Sequence, residues 1–381
     1  MTLGVRHMKM VNNSSIALLV IAGGKSRRMG HDKRWLKWQG KSFLDCIVRK
    51  AIIAGFSEII ICAETASPEI MKLSQKYSFV EFVFDEIEGF GPMEGLHQGL
   101  KHMNADYGWA VSCDMPFFDF QSAKKLLHIN EEKSPLAIVP LTEGRWQPLA
   151  SIYSKNILSL VEQKIKNGDG RMKSIMLEKD ILKVDCTEIK EIFFNVNNEG
   201  DYRMALARDT NMKRNTPLIS ISATQSNTGK TSFIEMLIKE LSSIDLKCGV
   251  IKHTHHEITA EDEDGKDSQR FLLAGAEAVA VISPNSYYIK TTVGLVEEKK
   301  ESVSIEDIAE KVENVDVILV ETRSHGIFPV VNLYREIATV NIDEKTVALF
   351  TSKLVQETKV NQYNINDKDS ARCLIRFIAG Y

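Results

Sequence analysis

A short apolar run, residues 16–20, opens directly onto Ile21-Ala22-Gly23-Gly24-Lys25-Ser26-Arg27-Arg28-Met29-Gly30-His31-Asp32-Lys33. Few folds accommodate that order. An apolar run entering a glycine-rich, basic turn reads as the first strand of an α/β sheet opening onto a phosphate cradle. The glycines let backbone N–H groups approach oxyanions closely, and the basic side chains supply charge. The bland alternative is an ordinary strand-to-helix turn with solvated basic residues. A strand, two adjacent glycines, two arginines, a third glycine and an Asp-Lys pair, all in order, favour the cradle.

The chain has 381 residues, enough for two or three domains, and 44% of them are hydrophobic, enough for sizeable cores. A net charge of −3 gives no global basic field, so nucleic acid is not an expected partner. Cys46, Cys62, Cys113, Cys186, Cys248 and Cys373 lie far apart with no C-x-x-C pair. That argues against a disulfide framework or a zinc ribbon and fits a reducing, cytoplasmic setting. No apolar stretch approaches the roughly 20 residues that span a bilayer, so no membrane partner is expected. Residues 1–15 lack an apolar run and read as a tail rather than a signal peptide.

Strand-like runs (16–22, 58–63, 81–84, 109–113, 136–140) alternate with helix-like segments (42–54, 93–103, 122–130). Alternation of this kind predicts a mostly parallel α/β sheet, with ligands outside the carboxyl ends of its strands. Gly23, Asp85 and Asp114 all follow predicted strand ends and are expected to converge on one edge. A second strand-and-loop start appears at 218–222, followed by Ala223-Thr224-Gln225-Ser226-Asn227-Thr228-Gly229-Lys230-Thr231. The polar stretch before it, 208–216, reads as an interdomain linker. The expected domains are therefore 16–207 and 217–381.

Asp114 stands in Cys113-Asp114-Met115-Pro116 at a strand end. Such an aspartate can hold Mg²⁺ against phosphate oxygens, because Mg²⁺ is bound by one or two carboxylates plus phosphates. Taken alone, an aspartate before Met-Pro is more simply a turn residue. Gly229-Lys230-Thr231 after a strand is the end of a phosphate-binding loop: the lysine reaches terminal phosphates and the threonine hydroxyl binds Mg²⁺. The usual first glycine of that loop is Thr224 here. The helix that follows presents its N-terminus to anions. A further strand ends in Lys252-His253-Thr254-His255-His256. Neighbouring histidines point apart, so anion contacts by Lys252, His253 and His255 are favoured over a zinc site.

The first motif set resembles the molybdenum cofactor guanylyltransferase (MobA) family, which opens with the same Ala-Gly-Gly-x-Ser-x-Arg-Met-Gly-x-Asp-Lys run. The resemblance implies a Rossmann-like nucleotidyltransferase domain. Its nucleotide site would comprise Ile21, Ala22, Gly23, Gly24, Lys33, Asp85, Gly91, Gly95 and Asp114. Lys33 and Arg27 would take phosphate charge, and Asp114 would hold the metal. Gln147 (in Gln147-Pro148-Leu149), Asn195 and Asn197 would lie towards the pterin. One departure concerns base recognition: the family often has an asparagine after the second strand, where this chain has Glu64.

The second set resembles the molybdopterin-guanine dinucleotide biosynthesis adaptor (MobB) family. It shares Val250-Ile251-Lys252-His253-x-His255-His256 and Gly265-Lys266-Asp267-Ser268, and has a strand ending in Glu321. That resemblance implies a P-loop NTPase-like sheet binding GTP through Thr228, Gly229, Lys230, Thr231 and Glu321, with Thr231 on the metal. The family's Gly-x-Lys after the glutamate is replaced by Thr322-Arg323-Ser324, which points to binding and delivery more than hydrolysis. Together the resemblances imply transfer of GMP from GTP to Mo-molybdopterin with Mg²⁺. The implied partners are apo-molybdoenzymes and upstream molybdopterin-synthesis proteins, with a homodimer formed through the second domain. A carrier without turnover, and a cytidylyl or sugar-phosphate nucleotidyltransferase, are the alternatives.

Overall fold

The computed structural model describes residues 9–10, 16–23, 32–87, 89–129, 135–223, 228–254, 266–291, 294–299, 303–322, 327–334, 342–354 and 358–381. Two compact units divide the chain, Met1–Asn197 and Asn198–Tyr381.

In the first unit the elements run β1 (Ile16–Ile21), α1 (Phe43–Ala54), β2 (Ile59–Ala63), α2 (Pro68–Lys76), β3 (Glu81–Phe84), α3 (Pro92–His102) and β4 (Tyr107–Ser112). There follow β5 (Ala137–Thr142), β6 (Arg145–Trp146), β7 (Ile152–Ser154), α4 (Leu158–Lys166), α5 (Met172–Ile175) and β8 (Ile181–Asp185). The sheet order is β6-β5-β7-β4-β1-β2-β3, with β8 beside β5. Strands β4, β1, β2 and β3 are mutually parallel, and β7 runs antiparallel to both β4 and β5. The order of the first four strands reverses between β1 and β4, which opens a crevice at their carboxyl ends.

Strand β1 shows why the apolar run folds as it does. Ile16, Leu18 and Val20 enter one core with Leu44, Ile47 and Val48 of α1. Ala17, Leu19 and Ile21 enter the other with Met93, Leu96 and Leu100 of α3. A strand covered on both faces has no polar side and reads as a continuous apolar run. Each fully buried aliphatic side chain contributes about 1.5–3 kcal/mol. Helix α1 starts where the Ser42 side chain accepts from Asp45 N and stops at Gly55 in the left-handed region, φ +84°. Where a helix was expected over 122–130, the described residues 122–129 hold only a 3-10 turn, Ser122–Leu127, before a short strand. The chain leaves that turn at once, because residues 128–129 pair as a strand with Lys9–Met10.

The second unit runs α6 (Glu199–Asn211), β9 (Leu218–Ser222), α7 (Lys230–Ser242), β10 (Cys248–His253), α8 (Lys266–Ala274), β11 (Ala278–Ile282), β12 (Ser286–Thr291) and β13 (Leu295–Lys299). It ends with α9 (Ile305–Ala309), β14 (Val317–Thr322), β15 (Val330–Tyr334), β16 (Thr346–Thr351), β17 (Asn361–Asn364) and α10 (Lys368–Ala379). Its order is β13-β12-β11-β10-β14-β9-β15-β16-β17. All neighbours are parallel except the β11–β12 and β12–β13 pairs at one edge.

The boundary differs from the sequence expectation. Residues 199–207 belong with the second unit, and 208–216 are not a linker. Buried Arg208 donates to the Phe377 carbonyl (2.6 Å) and the Gly380 carbonyl (3.2 Å), capping the last turn of α10. Asn211, fully buried, donates to the Ile378 carbonyl (3.2 Å) and accepts from Leu218 N (3.2 Å), tying α6 to the start of β9. At Gly200 an added Cβ would stand 2.7 Å from Asn361 N, so α6 packs backbone to backbone against β17.

Candidate functional site

In the first unit the Asp-Lys pair is held by its own turn. Asp32 accepts from Arg34 N (3.1 Å) and takes the Arg34 guanidinium in a fork, Nε–Oδ1 3.0 Å and Nη2–Oδ2 2.6 Å. Asp32 thereby caps the 3-10 turn Lys33–Trp35. Lys33 Nζ, on that turn, donates to Asp114 Oδ2 (3.4 Å) and Asn197 Oδ1 (3.2 Å).

Asp114 lies just past β4 at the crevice. Its Oδ1 accepts from Ser112 Oγ (2.6 Å), and its carbonyl accepts from Val196 N (2.9 Å). That last bond draws the Asn195–Asn197 segment to Asp114. Ser112 was not among the residues the motifs pointed to. Its signal was the strand register, which places it two residues ahead of Asp114 on the same face.

Asp85, past β3, approaches the end of β1: a Cβ added to Gly23 would stand 3.7 Å from its Oδ2 and 3.9 Å from Glu64 N. Asp85 Oδ1 is buried with no hydrogen-bond partner among the described residues. Burial first, then the charges of Glu94 and Glu64, raises the Asp85 carboxyl to about 7. Gly91 initiates α3 at φ +75° ahead of Pro92. Gly95 is explained by packing, since a Cβ there would meet Ile21 Cγ2 at 3.3 Å and Cys62 Cβ at 3.6 Å. Gln147 donates to Thr142 Oγ1 (2.8 Å) within its own hairpin, and Asn195 Nδ2 donates to the Phe193 carbonyl (2.9 Å). Ile21 and Ala22 are buried at the end of β1. Gly24 and Arg27 lie outside the described residues.

In the second unit Gly229 takes the left-handed conformation, φ +90°, and starts α7. Thr231 Oγ1 donates to Glu321 Oε1 (3.2 Å), and Lys230 Nζ donates to the Thr322 carbonyl (3.1 Å). Lys252 is the register partner of Glu321 on the adjacent strand, and Thr228 is buried beside the loop. The carboxyl ends of β9, β10 and β14 thus bring Lys230, Thr231, Lys252 and Glu321 to one edge. His253 ends β10, while Thr224 and His255 lie outside the described residues.

Among the described residues no three His, Cys, Asp or Glu side chains cluster as a cation site. The donors at both edges are nevertheless hard oxygens: Asp114 steadied by Ser112, and Thr231 beside Glu321. One carboxylate or hydroxyl completed by phosphate oxygens suits Mg²⁺.

The fold and these edges define two α/β domains, each with polar side chains gathered at the carboxyl ends of its parallel strands. Residues 18–182 match the MobA-like NTP transferase domain, and residues 218–353 match molybdopterin guanine dinucleotide synthesis protein B. The chain is 32% identical over 194 residues to the probable molybdenum cofactor guanylyltransferase of Clostridium perfringens (strain ATCC 13124), covering 48% of this chain and 92% of that one. The protein of the same description from Natranaerobius thermophilus is 27% identical over 199 residues, 50% of this chain and 95% of the relative. Among solved structures, molybdopterin-guanine dinucleotide biosynthesis protein A from Archaeoglobus fulgidus has 22% identity and a TM-score of 0.44, covering 50% of this chain and 96% of that chain. Bacillus subtilis MobB has 20% identity and a TM-score of 0.29, covering 43% of this chain and 99% of that one. The chain belongs to the molybdenum cofactor guanylyltransferase family through its first domain, and carries a MobB domain after it. Among the described residues no helix is long and apolar enough to cross a membrane.

Proposed function

We propose that the first domain transfers GMP from GTP to Mo-molybdopterin, releasing pyrophosphate, and that the second binds GTP in a cytoplasmic adaptor role that aids synthesis or delivery. The observation that carries the reading is the meeting of Lys33, Asp114 and Asn197 at the sheet's switch point. One phosphate-charge residue, one metal-type carboxylate and one residue of the implied pterin side share a single hydrogen-bonded cluster.

The terminal phosphate oxygen of molybdopterin would form a bond to the α-phosphorus of GTP. The bond from that phosphorus to the bridging oxygen would break, and its electron pair would leave with pyrophosphate. Little covalent chemistry falls to the protein, so positioning and charge neutralisation do most of the catalysis. The Lys33 ammonium neutralises phosphate charge, the Gly23 backbone admits the triphosphate closely, and Ser112 aims the Asp114 carboxylate. Mg²⁺ held by Asp114 would offset charge on the leaving pyrophosphate. In the second domain Lys230 would reach terminal phosphates, and Thr231 with Glu321 would hold the ion.

Pyrophosphate release tests this, with GTP or CTP, with and without molybdopterin and molybdate, for the intact chain and for Asp114→Ala. Release that requires GTP, pterin and Asp114 supports the transferase. Nucleotide binding without release points to a carrier, and release with CTP to a cytidylyl enzyme.

A further inference from the structure

Glu94 is a carboxylate with no exposed surface, in the first turn of α3. A buried charge is costly unless it is hydrogen-bonded. Here the fold surrounds it with donors. Oε1 accepts from Gln98 Nε2 (2.7 Å) and from Glu86 N (3.1 Å), and Oε2 faces His97 Nδ1 at 3.2 Å. Gln98 gives its amide to Glu94 while its own buried Oε1 has no partner among the described residues. The neighbourhood is therefore arranged around an acceptor at position 94. Nothing in the chemistry derived above uses it.

Glu86 N is the amide that follows Asp85, so Glu94 pins the turn presenting the Asp85 carboxyl to Gly23. It also puts a negative charge behind that carboxyl. We propose that Glu94 is a positioning residue for nucleotide recognition, which holds the Asp85–Glu86 turn against Gly23 and sets the charge that Asp85 presents to the triphosphate ligand. The proposal rests on reading Asp85 as a nucleotide contact. A second bare anion beside an incoming triphosphate would repel it, whereas a protonated carboxyl donates to it.

The groups around the pair are known. Glu64 after β2 and Glu94 on α3 push the Asp85 midpoint upward with burial. Cys62 on β2 lies within electrostatic reach of Asp85. On the far side of Glu94, His97 Nε2 stands 3.8 Å from Glu162 of α4, and Lys101 pairs with Glu86 at 2.7 Å.

The test uses the full chain carrying Lys230→Ala, so that GTP binding reports the first site alone. The Asp85 midpoint is read by carboxyl-resolved NMR, and GTP affinity by calorimetry across pH. Glu94→Gln keeps an oxygen for Glu86 N but removes the charge. It is expected to lower the Asp85 midpoint by about one pH unit, the scale of a lost like-charge neighbour. The pH at which GTP affinity begins to fall should move down with it. Glu94→Ala also frees the turn and is expected to weaken GTP at every pH, whereas Asp85→Asn flattens the pH dependence. An unmoved Asp85 midpoint in a folded Glu94→Gln chain, or an affinity profile that stays in place while the midpoint moves, overturns the proposal. Pyrophosphate release is scored separately, so a chain that binds GTP by this pattern without turnover refutes only the transferase reading.

Discussion

Replacing Arg208 by alanine removes two charge-assisted hydrogen bonds to the last turn of α10, at 2.6 and 3.2 Å, and a guanidinium 5.0 Å from the Phe377 ring centre. Hydrogen bonds from a charged donor contribute about 1.5–3 kcal/mol each, and a cation at a helix C-terminus adds a fraction of that. Water reaches part of the vacated carbonyl edge, so the expected loss is about 2–4 kcal/mol. For a domain of this size in urea, that moves the midpoint down by roughly 1–2 M. All four tryptophans, Trp35, Trp38, Trp109 and Trp146, lie in the first unit. Tryptophan fluorescence therefore follows the first unit only, while far-ultraviolet circular dichroism follows both. Arg208→Ala should lower the dichroism transition belonging to the second unit and leave the tryptophan transition in place. A shift confined to tryptophan fluorescence, or no shift in either signal, would refute the assignment of α6 to the second unit.

Other outcomes follow from the same geometry. Gly200→Ala forces a Cβ to within 2.7 Å of Asn361 N and should destabilise the second unit by about 1–3 kcal/mol, again without moving the tryptophan transition. Ser112→Ala removes the 2.6 Å bond that aims Asp114; kcat for pyrophosphate release is expected to fall about 10–100-fold with little change in the folding transition. Because burial, Glu94 and Glu64 raise the Asp85 carboxyl to about 7, the folded chain retains a proton there that the unfolded chain releases at lower pH. Stability then falls as pH rises through that window. Asp85→Asn should match wild type near pH 4 and gain about 1–2 kcal/mol near pH 8 in urea titrations, a figure discounted for the half-exposed side chain. Thr231→Ala breaks the contact with Glu321 and should weaken GTP binding at the second site, read by calorimetry, while pyrophosphate release by the first domain persists.

Central parallel strands were legible because burial on both faces leaves an unbroken apolar signature: β1, β2, β4 and β9 all stand within two residues of their expected bounds. The short strands β6 and β7 were not, since they are two and three residues long and carry almost no periodicity. Helix α6 was hidden for a different reason. It buries an arginine and an asparagine against main-chain carbonyls, and a sequence displays the polar side chain but not the acceptor waiting for it. At the site, Asp85 and Asp114 were legible as carboxylates following strands, and Lys33 as the end of the glycine-rich basic run. Ser112 and Glu94 were not, because a serine inside a strand and a glutamate inside a helix are unremarkable until their partners are placed.

Asn197, which accepts from Lys33, is the last residue of the first unit; Asn198, which caps α6 through its side chain, is the first of the second. One peptide bond therefore separates a residue of the candidate active site from the residue that caps α6. Spacer residues inserted directly after Asn197 would act at once on the acceptor of Lys33 and on the cap of α6.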